Sequence, residues 1–270
     1  MSYSDGFIFG LCSLITIGFQ ITSNFANDYG DGIKGTDADD RVGPKRALQS
    51  GALTASELRW GISITALLSI FLTLTLLVYV FGVSQLPYFF IFLVLSIFSI
   101  WAAIKYTIGK SAYGYRGLGD VFVFLFFGLL AVLGIKFLYL QHIDYLDILP
   151  ATAIGLLCVG VLNLNNLRDI QSDTNHEKNT LVVKLGYSNG KIYHAMLLII
   201  SFFCFLIYSI LKIKHLNFFW FLLPYLFILT NLIKIVRIKN PVHLDSELKK
   251  LALATFTLSL LFYIVVNYFL

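Results

Sequence analysis

Eight long runs of apolar side chains decide what this chain can fold into. They occupy residues 7–27, 58–82, 86–104, 119–140, 146–168, 191–212, 215–236 and 249–270. Several reach or approach the ~20 residues that a helix needs to cross a hydrocarbon core about 30 Å thick. Helices apolar on every side leave no face for water, and the composition agrees: 58% of the 270 residues are hydrophobic and 13% are charged, with a mean hydropathy of +0.80. A soluble domain carries about a quarter charged residues. The alternating ten-residue segments of a membrane β-barrel are absent. Aromatic clusters such as Tyr88-Phe89-Phe90 and Phe218-Phe219-Trp220 close several runs, as expected where rings gather at headgroup level. We therefore expect an all-α fold, a multi-pass transmembrane helical bundle of eight spans, forming a single domain over residues 1–270 and surrounded by membrane lipid.

Charge gives the orientation. Seventeen of the twenty Lys and Arg residues fall in alternate connections on one side of the spans, and only Lys136, Lys212 and Lys214 lie on the other. Short loops that stay in the cytoplasm keep such an excess, which places the four long odd-numbered loops there. The net charge of +5 is thus a topology signal, and no nucleic-acid partner is expected. Cys12, Cys158 and Cys204 all sit inside apolar runs with no CxxC or Cys/His spacing, which argues against a disulfide framework or a zinc site. No charged leader or small-residue cleavage site precedes the first run.

Two of the long loops are acidic in a repeated way. The first span continues without a breaker into Asn24-Phe-Ala-Asn27-Asp28-Tyr29-Gly30-Asp31, with Asp37 beyond; the fifth continues into Asn165-Asn166-Leu167-Arg168-Asp169, followed by Asp173. Residues four apart share a helix face, so Asn24, Asp28 and Asp31 form one polar stripe and Asn165, Asp169 and Asp173 another. Ionisable groups beside membrane spans are costly and mark functional sites. Carboxylates at Asp28, Asp31, Asp37, Asp169 and Asp173 repel one another and call for cations; hard oxygen donors suit Mg2+, which bridges a few carboxylates to substrate phosphates. No EF-hand spacing is present for calcium. Basic residues in the same loops, Arg41, Lys45, Arg46, Lys110, Arg116, Lys178 and Lys184, fit a metal-bridged diphosphate. Each taken alone fits better with the positive-inside bias or a lipid headgroup. Asp39 and Asp40 read as solvated loop charges.

The pairing of Asn27-Asp28-Tyr29-Gly30-Asp31 with Asp169-Ile170-Gln171-Ser172-Asp173 resembles the NDxxD and DxxxD motifs of the UbiA superfamily of intramembrane aromatic prenyltransferases. Within it, Asn24 to Asp37 (NFANDYGDGIKGTD), Arg41 to Gly51 (RVGPKRALQSG) and Tyr113 to Gly128 (YGYRGLGDVFVFLFFG) look most like the branch that prenylates 1,4-dihydroxy-2-naphthoate in menaquinone synthesis. That family normally has nine helices, so the resemblance implies a missing first helix here. It also implies a polyprenyl diphosphate headgroup held on magnesium between the motifs, its tail in an apolar channel. The metal would be held by Asn24, Asn27, Asp28, Asp31, Asp37, Asn165, Asp169 and Asp173, with Asp28, Asp31, Asp169 and Asp173 carrying the chemistry. The diphosphate would lie against Arg41, Arg46, Lys110, Lys178 and Lys184. The loop with Tyr113, Tyr115, Arg116 and Asp120 is the candidate for holding the acceptor, Arg116 pairing with a carboxylate or snorkelling at a helix start. The naphthalene ring attacks at the carbon bearing its carboxylate and carbon dioxide leaves, giving demethylmenaquinone. The implied location is the bacterial cytoplasmic (inner) membrane, with the active site facing the cytoplasm. The same superfamily also offers 4-hydroxybenzoate or homogentisate as acceptors, and an ion or organic-anion transporter would likewise put acids in a helical bundle, though near the midplane. His176 reads as a solvated loop residue, and His142, His194, His215 and His243 show no ligand spacing.

Overall fold

The computed structural model of the chain describes residues 3–36, 42–43, 45–213 and 216–268. Among these, regular structure is entirely helical, and eight helices are long and apolar enough to cross a membrane. The chain divides into two compact units, one of Met1–Arg116 with Leu138–Gln141 and one of Gly117–Phe137 with His142–Leu270.

In the first unit, α1 (Tyr3–Lys34), α2 (Ala55–Phe81) and α3 (Leu86–Lys105) pack together. No proline interrupts α1, so it carries the whole Asn24 to Asp31 motif in its last turns. It stops where Gly35 turns to φ 75° and the amides of Gly35 and Thr36 reach back to the carbonyls of Gly32 and Asp31, at 3.2 and 3.0 Å. Such a reversal needs a residue without Cβ. Thr54 caps α2: its hydroxyl accepts the Glu57 amide at 3.2 Å while the Glu57 carboxylate accepts the Thr54 amide at 2.7 Å. The short turn Gly82, Val83, Ser84 and Gln85 joins α2 to α3, which has Pro87 in its first turn.

The second unit is built around α5 (Ile148–Arg168), which packs on α4 (Gly119–Leu140, of which Gly119–Phe137 belongs to this unit), α7 (Leu181–Tyr208) and α9 (Leu244–Tyr268). α4 bulges as a π-helix over Phe124–Leu130, and there it meets α5 closely: a Cβ on Gly128 would lie 2.6 Å from the Gly155 Cα. A short helix, α6 (Ile170–Asn175), follows α5, and α8 (Pro224–Arg237) precedes α9. Phe205, Phe221, Tyr225 and Phe262 form a cluster of edge-on and tilted rings. Ser201 ties it to α5 by donating to the Ala153 carbonyl at 2.9 Å.

The spans fall close to where the apolar runs place them, but the first runs on to Lys34, the eighth starts at Pro241 instead of 249, and the sixth starts earlier still. The sixth covers Leu181–Ile213 and so begins ten residues earlier than expected from the run at 191–212. One helical turn lies ahead of Gly186, whose φ of 79° and ψ of 161° break the helix, and the apolar run proper starts after it. Large apolar side chains remain exposed along the helices, among them Trp60, Leu67 and Phe71 on α2, Phe227 on α8 and Phe256 on α9. Rows of this kind mark contact with a non-aqueous environment, and here the partner is hydrocarbon.

Candidate functional site

In the first unit the acidic end of α1 is folded under its own loop. Asp28 is 8% exposed, and its carboxylate accepts the backbone amides of Ala47 at 3.0 Å and Leu48 at 3.2 Å. It thereby caps the helical turn that contains Arg46. Asp31, 1% exposed, accepts the Tyr115 hydroxyl at 2.8 Å and has an Arg46 guanidinium nitrogen 3.4 Å away. Tyr115 also hydrogen-bonds the Thr36 hydroxyl. Lys34 lies over the Tyr115 ring, its Nζ 3.8 Å from the centroid, and donates to the Thr107 carbonyl at 2.6 Å. These bonds hold a carboxylate in a cationic, aromatic pocket at the helix end. Gly30 and Gly32 make it possible, because a Cβ at either would collide with Thr107 or Leu48. Asn27 is 3.4 Å from the Thr107 hydroxyl, and Asn24 is exposed with Gln20 donating to it at 3.4 Å.

In the second unit α5 ends at Asp169, whose φ of −94° and ψ of 9° fall in the bridge region between helix and strand. The i to i+4 pattern survives the break: the Asp169 amide donates to Asn165 at 3.0 Å and the Asp173 amide to Asp169 at 2.8 Å. Asp169 and Asp173 are both buried, at 6% and 4% exposure. Both Asp169 oxygens accept from the Arg168 guanidinium, at 2.8 and 2.7 Å. The same guanidinium donates to Asn165 Oδ1 and to Asp245 Oδ1, each at 2.7 Å. Asp173 has the Lys178 ammonium 3.9 Å away. His176 places Nδ1 2.9 Å from the Ser172 carbonyl, so its ring closes the end of α6.

The loop from Tyr113 contributes to both units. Tyr113 donates its hydroxyl to the Ala102 carbonyl at 2.9 Å and stacks edge-on with Tyr106; burial raises its pKa above the ordinary tyrosine value, so it stays a neutral donor. Arg116 and Lys110 are exposed. Gly117, at φ 78°, leaves room for Lys184, whose ammonium would be 2.9 Å from a Cβ there. Asp120 is buried and accepts the Tyr193 hydroxyl at 2.9 Å. Asp37 and Arg41 lie outside the described residues.

Arg168 and its partner Asp245 escaped the reading of the sequence, where Arg168 counted only as one more positive charge. A guanidinium at the inner end of an apolar run, next to an Asp, is the signal that could have found it, since such a charge must be paired.

Among the described residues, no group of three or more His, Cys, Asp or Glu side chains could hold a metal ion. A preformed cage of the calcium or zinc type is therefore absent among them, whereas magnesium needs only one or two carboxylates, keeping waters and substrate phosphates for the rest. A carboxylate offers about four lone-pair sites, so the two hydrogen bonds on Asp28 and the two on Asp169 orient these groups without using all of their acceptor capacity. An all-oxygen donor set without thiol or imidazole fits magnesium.

Apolar spans with buried acids at their ends define a polytopic membrane protein. The chain belongs to the UbiA prenyltransferase family, whose pattern matches residues 2–261 and so runs through both units. It is 42% identical over 253 residues to a 1,4-dihydroxy-2-naphthoate octaprenyltransferase of Escherichia coli, covering 93% of this chain and 82% of that protein. A protein of the same name from Haemophilus influenzae is 47% identical over 206 residues, 76% of this chain and 66% of the relative. One from Mycobacterium tuberculosis is 36% identical over 191 residues, 71% of this chain and 62% of the relative. The matched stretch thus spans just under two thirds of the Haemophilus and Mycobacterium proteins. No solved structure matches.

Proposed function

We propose that this chain transfers a polyprenyl group from its diphosphate to 1,4-dihydroxy-2-naphthoate, with loss of carbon dioxide and diphosphate, in menaquinone biosynthesis. The observation that carries the reading is the 42% identity to a 1,4-dihydroxy-2-naphthoate octaprenyltransferase over 93% of the chain, with both acidic motifs inside the matched family region.

The chemistry follows from what the buried groups can do. Asp28 and Asp31 with Asn24 and Asn27 in the first unit, and Asp169 and Asp173 with Asn165 in the second, are the residues that would hold Mg2+; when bound, the metal supplies Lewis acidity and a template for the phosphate oxygens. Arg46, Lys110, Lys178 and Lys184 add fixed positive charge for the diphosphate, which takes the electron pair of the breaking allylic C–O bond. The allylic carbon becomes electron-poor, and an apolar surround keeps water from it. The ring carbon bearing the carboxylate bonds to it, and the C–C pair of the departing carboxylate returns to the ring. Carbon dioxide leaves, and the product is the reduced form of demethylmenaquinone. Tyr115 and Arg116, on the loop that reaches Asp31, and Asp120 with its Tyr193 partner are the candidates for holding the acceptor. The excess of Lys and Arg in alternate loops supports a site that faces the cytoplasm from the bacterial inner membrane.

Purified protein given a prenyl diphosphate and three competing acids, 1,4-dihydroxy-2-naphthoate, 4-hydroxybenzoate and homogentisate, tests the reading by mass spectrometry. A prenylated, decarboxylated naphthalene product formed only with magnesium present is expected. Prenylation of another acid would reassign the acceptor. An untouched diphosphate would favour transport over transfer.

A further inference from the structure

We propose that Arg168 and Asp245 are positioning residues for Asp169, setting the direction in which that carboxylate presents its free lone pairs. The inference rests on the magnesium reading above. Asp169 sits at the break between α5 and α6, where the backbone leaves helical geometry and no regular element fixes its side chain. The orientation has to come from another side chain, and Arg168 supplies it: the guanidinium grips both oxygens of Asp169, at 2.8 and 2.7 Å. A bidentate grip of this kind fixes the plane of a carboxylate as well as its place. It uses one lone pair on each oxygen and leaves the others directed away.

An arginine beside its own carboxylate could swing with it. Here it cannot, because its far nitrogens are held elsewhere. Nη2 also donates to Asn165 one turn back on α5, and Nη1 donates at 2.7 Å to Asp245 in the first turn of α9, 77 residues away in sequence. Arg168 is 4% exposed, so its guanidinium is largely shielded from water. Asp245 is itself held by Lys249 at 2.9 Å, which extends the chain of charges to Lys249–Asp245–Arg168–Asp169. Carboxylates that bind metals are commonly oriented by such outer hydrogen bonds, and removing one costs roughly 10- to 100-fold in metal affinity or activity.

The test uses the full chain in detergent, titrated with Mn2+ as a paramagnetic stand-in for magnesium in the presence of inorganic pyrophosphate, with free Mn2+ read by EPR. The parent is expected to bind Mn2+ and Asp169→Ala to lose it. Asp245→Asn should weaken Mn2+ binding about tenfold, while turnover at saturating metal recovers and Asp245→Glu restores the parent curve. Arg168→Lys, which keeps the charge and loses the fork, should weaken binding at least as much. A thermal midpoint taken without metal checks folding; should Asp245→Asn fail to fold, the Arg168→Lys curve decides. Variants that fold and bind Mn2+ like the parent would overturn the positioning role. So would a loss of turnover that no metal concentration restores. A parent that binds no Mn2+ overturns the magnesium reading, and this inference with it.

Discussion

Asp31 and Tyr115 are 84 residues apart and meet at 2.8 Å, so the tyrosine hydroxyl neutralises part of the cost of burying that carboxylate. Tyr115→Phe leaves the buried oxygen one donor short. The expected cost is about 1 to 3 kcal/mol, read as a lower thermal midpoint in detergent together with reduced turnover. Removing the carboxylates acts differently. Asp31→Ala and Asp173→Ala should each abolish most turnover while the protein still inserts and purifies; near-parent rates in both would contradict the proposed metal role. Both motifs were legible as residue types at helical spacing. Their partners were not, because nothing in the local sequence says that Tyr115 reaches Asp31 or that Asp245 reaches Arg168.

At the level of elements, glycines separate close packing from open surface. Gly128→Ala drives a methyl into the α5 backbone at Gly155, and overpacking of this kind costs about 1 to 3 kcal/mol. Gly186→Ala places a side chain at φ 79° and ψ 161°, a region essentially reserved for glycine, and costs about 1 to 3 kcal/mol as well. By contrast, nothing lies within 4 Å of a Cβ at Gly10. Gly10→Ala should therefore stabilise α1 by up to about 1 kcal/mol. Thermal unfolding of the three variants checks the set, and a neutral Gly128→Ala would contradict the close contact between α4 and α5. The sequence predicts where these helices run; the π-bulge of α4 and the break at Gly186 arise from packing and from one glycine's conformation, which apolar periodicity does not encode.

For the whole molecule, the question is which way the loops face. Gln85 and Gln141 are hydrogen-bonded to each other at 2.8 Å in the lysine-poor connections, while Lys110 lies in a lysine-rich one. A membrane-impermeant thiol reagent added outside intact cells should label Gln85→Cys and spare Lys110→Cys, with the order reversed in inverted vesicles. The opposite pattern would overturn the inner-face assignment. By itself the sequence determined the number and place of the membrane spans, because apolar length alone decides what can cross a bilayer, and it located the acids because charges beside such runs are costly enough to need a reason. Tertiary structure alone decided which groups hold those acids. Arg168 joins Asp169 to Asp245, and Tyr115 joins the loop to Asp31, only once helices far apart in the chain have packed and turned particular faces toward one another.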